Sequence, residues 1–389
     1  MPANWEKAYS ELKGFITDNP QIRIKVGIIA IPADIRPEFY RLFNVVRVAF
    51  LEENCQTLIK EASELSNNYI RVVNEAQKSS GISQIKLSSD LNWFLNDPVN
   101  GLIRSFYNSL FDLLKGEIDI QAFEREAIGY ATSSFKLLLE LGYQKWVALS
   151  LINMLAPDRA LVVPIADIKD MCHEPEADEK HGLWEKKIPD LIETKSIFFG
   201  RGLEENSYMI ANLVFHSTRL KRYVSLGTDL EDALWTAKHV SHKREWLHLR
   251  ELGKLIETRK NWPDAVIYVD EDPDDIPLVA DFGRFCRPDL ILEYIDDIEW
   301  YQKGGLEKVK QDYEFFKPVL GSYVISRLPV SDEVLKDLAA ESTGSEKARE
   351  QARSPETEHP NIHILTVNYD QSQLSPIMDA LSTGSHAAS

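Results

Sequence analysis

Between Pro37 and Ser79 the chain contains neither proline nor glycine, and apolar residues recur at Leu51, Cys55, Leu58, Ala62, Leu65, Tyr69, Val72 and Ala76. The spacing alternates between four and three, the heptad period that lets one helix lie along another. Such a stripe is either a seam inside a helical bundle or a surface for self-association or a partner helix over 51–76. Apolar spacing predicts more helices over 98–115, 119–142 and 143–155, with Gly142 separating the last two, and a short strand over Ile24–Ile31. Residues 1–160 therefore read as an all-α helical domain suited to scaffolding or partner binding.

The period changes after Tyr208. Residues 161–243 form a mixed connecting region in which Ile210–His216 and Lys221–Leu226 alternate like paired strands, and Thr228 with Glu231 makes a capping box for a helix. A helix over Arg244–Lys260 follows. Beyond it come strands at Ala265–Val269 and Leu290–Ile295, a helix over Leu306–Phe316 stopped by Pro318, and a strand at Tyr323–Ile325. A helix started by Ser331 and a strand at Ile362–Val367 complete the order. Residues 341–360 carry no large apolar side chain and read as a flexible insertion, and 371–389 form a C-terminal tail.

Charge changes this picture only when it is counted locally. The 389 residues carry a formal net charge of −17, which argues against general phosphate binding because counterion release depends on lysine and arginine. Yet Arg219–Lys260 holds ten lysines and arginines against six carboxylates, net +4, whereas Asp264–Glu299 holds two arginines against twelve carboxylates, net −10. Basic helices followed by acidic strands is the polarity a phosphodiester-cleaving site needs: oxygen ligands for a hard cation, and cationic groups near the phosphate. Solvated turns and helix faces would produce the same counts.

Other chemistries find little support. Cys55, Cys172 and Cys286 are far apart and odd in number, as expected of a reducing, cytoplasmic setting. Cys172, His173 and His181 lack the second tight ligand pair of a structural zinc site, and His239, His242 and His248 lack an accompanying carboxylate pattern. No dinucleotide, P-loop or nucleophile-elbow motif occurs, and no apolar run is long enough to span a membrane.

The element order from 244 to 370, together with Arg287-Pro288-Asp289-Leu290-Ile291-Leu292, resembles the core of the restriction-endonuclease-like PD-(D/E)xK nucleases. The resemblance implies an N-terminal all-α helical domain followed by a mixed-sheet α/β nuclease-like domain. It implies Asp289 and Glu299 as carboxylates holding Mg2+, with Glu257 or Glu251 as an extra ligand from the preceding helix. The family's lysine position is Tyr301 here, and Lys303 would serve as its substitute, orienting or deprotonating the attacking water. Asp264 and Asp281 are the alternative carboxylates if the hairpin register differs. Lys243, Arg244, Arg250 and Lys254 would then contact nucleic acid. The alternative is a non-catalytic interaction protein acting through its helices. Geometry separates the two, since Asp289 and Glu299 must approach within about 6 Å to share an ion with oxygen distances of roughly 2.0–2.6 Å.

Overall fold

Asn4 starts the first helix by accepting the Lys7 N–H at 2.7 Å, which satisfies a donor that every helix start leaves open. The structure is a computed structural model of the chain and describes residues 4–162, 191–199, 212–228, 246–248, 263–273, 284–297, 299–336 and 361–383. Its contacts divide the chain into two units, Met1–Arg71 with Ser89–Lys145, and Val72–Ser88 with Trp146–Ser389.

The first unit is built from helices. α1 (Trp5–Asp18) leads into a hairpin of β1 (Arg23–Lys25) and β2 (Ile28–Ala30), where the sequence predicts one strand; Gly27 turns it at φ 71°. α2 (Arg36–Asn54) admits Pro37 in its first turn and ends at Cys55, and α3 (Gln56–Ser79) begins at once. The heptad stripe thus crosses a break between two helices. Leu51, Cys55, Ala62, Leu65, Tyr69, Val72 and Ala76 are all buried within the chain. The stripe is an internal seam, so the expectation of self-association or partner docking through 51–76 is corrected: the side chains it would need are already covered.

After β3 (Gln84–Leu87) comes α4 (Ser89–Asn96). The single helix predicted over 98–115 is two, α5 (Pro98–Ile103), capped by Asp97, and α6 (Tyr107–Lys115), closed by Gly116 at φ 75°. Aromatic rings fill the core of this unit. Trp5, Phe50 and Phe123 meet with centroids 5.0–5.4 Å apart, and Phe43 meets Phe111 at 4.6 Å. Gly142 does not separate two helices, because α7 runs unbroken over Ile120–Leu155. A Cβ at Gly142 would stand 2.7 Å from Leu65 Cδ2 and 3.1 Å from Leu95 Cδ2, so this glycine is where α7 lets two leucines approach its backbone.

The second unit contains an eight-stranded mixed sheet. In chain order its described elements are β4 (Pro157–Val162), β5 (Ile192–Glu193), β6 (Ser196–Phe199), β7 (Asn212–Ser217), β8 (Arg222–Thr228), β9 (Trp246–His248), β10 (Ala265–Asp270), β11 (Arg284–Cys286) and β12 (Leu290–Ile295). Then follow α8 (Gly305–Phe316), β13 (Gly321–Ser326), a helical stretch at 332–336, β14 (Ile362–Thr366) and α9 (Ser375–Thr383). The spatial order is β14-β13-β12-β10-β8-β7-β4-β5. Pairing is antiparallel from β5 to β12 and parallel from β12 through β13 to β14. Each of the two parallel steps has helical residues in its connection, as a parallel crossover requires. β6 pairs parallel with β3, and β9 antiparallel with β11.

The hairpin predicted around residue 219 is present: β7 and β8 pair, and the turn closes with Lys221 in the left-handed region at φ 56° although no glycine or asparagine stands there. Two expectations need correction. Residues 246–248 form β9 rather than part of a helix over 244–260, because they ladder with β11. Thr228 ends β8 rather than standing free as a helix cap, because it pairs with Ala265. The rest of those two predicted helices, the insertion 341–360 and Cys172, His173, His181, His239 and His242 lie outside the described residues.

Gly142→Val should lower stability by about 1–3 kcal/mol in urea unfolding, since its branched side chain must displace Leu65 and Leu95 in a packed core.

Candidate functional site

β12 reads Leu290-Ile291-Leu292-Glu293-Tyr294-Ile295, and a central strand with both faces covered should be hydrocarbon throughout. Glu293 breaks that rule while only 5 % exposed. Its register partner is Val324 on β13, and beyond that Ile364 on β14. Over the same sheet lies α8, whose Leu306 and Val309 pack with Trp300, Val324 and Val334 and half-cover Ile295, Ile362 and Ile364. The helix thereby brings one cation onto the carboxylate: Lys308 Nζ lies 2.7 Å from Glu293 Oε2. One turn further along, Asp312, also buried, places Oδ2 3.4 Å from the same ammonium.

A third carboxylate enters from the neighbouring strand. The antiparallel ladder pairs Ala265 with Leu292, so Asp264, one residue earlier, stands opposite Glu293. Its Oδ2 accepts the Tyr294 N–H at 2.7 Å, satisfying a backbone donor at the point where β10 begins. Two carboxylates thus hold the ammonium, and the charge of the third acts on both Glu293 and Lys308. The cluster holds protons accordingly: burial, then Asp264 and Asp312, push the Glu293 carboxyl well above the usual carboxylate range, against the pull of Lys308. Burial works against the charge on Lys308, but Glu293 and Asp312 outweigh it and raise the ammonium above its ordinary value. Glu293 Oε1 is buried and has no hydrogen-bond partner among the described residues.

The residues that the sequence assigns to the site are elsewhere. Asp289 precedes β12, and its Oδ2 accepts the Val269 N–H at 2.6 Å, binding it into the edge of the β10 ladder. Glu299 lies past the other end of the strand, with the six residues of β12 between them, roughly 20 Å at about 3.3 Å per residue. The structure does not bring Asp289 and Glu299 together, and a shared ion between them is excluded on distance. Lys303 does not reach the sheet. It lies exposed in the turn after β12, where its ammonium binds Asp297 and sits 3.4 Å from Glu299, neutralising the turn's own carboxylates. Tyr301 only half-covers the Trp300 core. Glu251, Glu257, Asp281, Lys243, Arg244, Arg250 and Lys254 lie outside the described residues.

Of the sequence candidates, Asp264, named as an alternative, is the one placed beside a second carboxylate. Glu293, Lys308 and Asp312 were missed, although a lone Glu inside an apolar strand, and a Lys and Asp four residues apart on the covering helix, are signals present in the sequence. Among the described residues no three His, Cys, Asp or Glu side chains gather so as to hold a metal ion by themselves, and no helix is long and apolar enough to cross a membrane. No protein-family model, curated protein or solved structure matches the chain.

The raised Glu293 carboxyl fixes the sign of a pH effect. The folded chain keeps a proton that the unfolded chain, titrating near 4.5, gives up, so this group's contribution to stability is full below that pH and declines as pH rises toward the folded value. Glu293→Gln removes the dependence. The unfolding free energy of the variant relative to wild type should climb by up to about 1.4 kcal/mol per pH unit above pH ~4.5, measured by denaturant titration; a difference independent of pH contradicts the assignment.

Proposed function

We propose that the sheet of the second unit is a nuclease-like core of the PD-(D/E)xK kind, and that it cleaves phosphodiesters with a divalent cation at Asp264 and Glu293. The observation that carries this reading is the pairing of these carboxylates across adjacent strands, with a buried Glu293 oxygen that no donor among the described residues satisfies. Buried polar groups are nearly always partnered, so such an oxygen marks a place prepared for something else. Pro263-Asp264 supplies the Pro-Asp step one strand earlier than Pro288-Asp289, and Glu293 follows on the next strand of the antiparallel meander β8-β10-β12. Ile295 stands where the family's strand lysine would be, and the ammonium comes instead from Lys308 on α8.

The donors fit Mg2+. It is a hard cation that takes oxygen and is commonly bound through one or two carboxylates, the rest coming from substrate phosphates and water, so a third protein ligand is not required. When bound, the ion would polarise the phosphoryl group and lower the pKa of a coordinated water. The chain's own groups do the remaining work. Asp264 is held in place by the Tyr294 N–H, Glu293 by the packed strand, and Lys308, partly open to solvent, offers its ammonium to the negative charge that builds on the phosphate. The basic residues Lys243, Arg244, Arg250 and Lys254 serve this reading as phosphate contacts.

A second reading is favoured by one observation: the Lys308–Glu293 and Lys308–Asp312 ion pairs form a network that a purely structural role also explains. In that case the protein is a non-catalytic interaction module built on a degenerate core. Plasmid and single-stranded substrates incubated with Mg2+ or Mn2+ separate the two. Cleavage should fall at least about a hundredfold in Asp264→Asn and in Glu293→Gln and persist in folded Asp289→Ala. Absence of cleavage by the wild type, or cleavage indifferent to Asp264 and Glu293, leaves the non-catalytic reading.

A further inference from the structure

Arg47 of α2 is only 6 % exposed, and among the described residues no carboxylate pairs with it. Its guanidinium donates to the Ile103 carbonyl at 3.0 Å and to the Asn44 side-chain oxygen. A guanidinium carries five N–H donors, and five less these two leaves three with no acceptor among the described residues, the buried Nε–H included. The rings of Phe43 and Tyr107, each with its centroid 5.1 Å from the central carbon, offset part of the charge, but their faces offer no oxygen to those donors. Burial pulls the guanidinium down to about 10. Buried donors are nearly always partnered and buried charges nearly always paired, so Arg47 is a cation in want of an anion.

Its surroundings supply further donors. The hydroxyls of Tyr40 and Tyr107 lie 3.3 Å apart, a bond that uses one of their two hydrogens and leaves the other without an acceptor among the described residues. Arg104, the residue after Ile103, brings a second guanidinium close enough to weaken the hold of Arg47 on its own proton. Arg104 is tied to Asp90 only at 3.6 Å, with both side chains more than half exposed, so that pair is screened by solvent. Asn44 is exposed and both tyrosines are half-buried, so these three cover Arg47 on the side that faces solvent.

We infer that Arg47, Arg104 and the Tyr40–Tyr107 pair form an anion site in the helical unit, and that its ligand is a terminal phosphate, free or carried by a nucleotide. Two guanidiniums match the charge of a phosphate dianion, and their planar forks match its oxygens better than any other cationic side chain would. The phosphate oxygens take the open N–H donors and the spare hydroxyl hydrogen, and the buried charge gains the partner it lacks. The site is independent of the reading of the sheet.

Titration calorimetry of the full chain with inorganic phosphate tests the site, alongside thermal melts with and without phosphate. Wild type should bind one phosphate saturably and melt higher in its presence. Arg47→Met and Arg47→Gln should lose at least about tenfold in affinity and gain nothing in the melt. An arginine with a purely structural role predicts the reverse: both variants melt lower, by the same amount with and without phosphate. Tyr40→Phe and Tyr107→Phe keep both rings and the guanidinium, and at least one should weaken binding several-fold. They keep the site testable if neither Arg47 variant folds, and unchanged affinity in both then overturns it. A 5′-phosphorylated thymidine dinucleotide that competes with phosphate identifies a nucleotide as the carrier, and phosphate binding without such competition identifies the free ion. Equal binding of the dinucleotide without its terminal phosphate overturns the assignment. So does wild type that binds no phosphate, or phosphate bound equally by folded Arg47→Met, which is an adventitious ion only.

Discussion

A carboxylate in the middle of a central strand sets the terms for everything packed around it. Leaving a charge of that kind uncompensated in a protein interior costs several kcal/mol, so β12 can keep Glu293 only if a neighbour supplies a cation or a proton. Both are visible. α8 lays Lys308 against it, and burial, reinforced by the neighbouring carboxylates, raises its proton affinity. The requirement explains why α8 carries a lysine in its first turn against the local helix preference, and why the strand's other positions are uniformly apolar: a water-accessible strand would not need the arrangement. Departures from local consistency of this kind concentrate where a fold does chemistry.

The helical unit meets a different constraint, the filling of a core with large rings and leucines. Its stripe from Leu51 to Tyr69 is satisfied inside the chain, and its glycine at 142 is a packing device within a 36-residue helix. Both features look in sequence like something else, a docking surface and a helix stop. The difference is that periodicity reports which side chains want cover, and it does not report whether cover comes from the same chain.

Most strands and helices of the sheet unit were legible because period-two and heptad-like spacings are local. β10, β12, α8, β13 and β14 fall within a residue or two of their predicted places. The site was not, because it depends on which residues oppose one another. A Pro-Asp dipeptide stands at 263–264 as well as at 288–289, and reading the site from the second paired Asp289 with Glu299 at the two ends of one strand, whereas the register sets Asp264 opposite Glu293 on adjacent strands. Register is a long-range property, fixed here by the Ala265–Leu292 pairing, and a strand's own pattern does not contain it. β4 and β5 were likewise missed: they lie at the far end of the sheet, and one of them is two residues long.

Where Lys308 can reach is finally decided by packing rather than by charge. A Cβ on Gly305 would fall 2.2 Å from the Trp300 ring and 2.7 Å from its carbonyl, so the glycine lets the indole lie directly against the start of α8. Trp300 joins Leu306, Val309 and Val324 in one apolar cluster, and that cluster pins the helix to the strand that neighbours Glu293. Lys308 lies between the two buried positions 306 and 309, so the contacts that bury Leu306 and Val309 also limit where its ammonium can go. Interiors packed to crystal-like density do not slide, and a tethered ammonium with two carboxylates in range therefore has a small set of discrete positions. The apolar half of the site, with no titratable group of its own, defines the geometry in which the polar half acts.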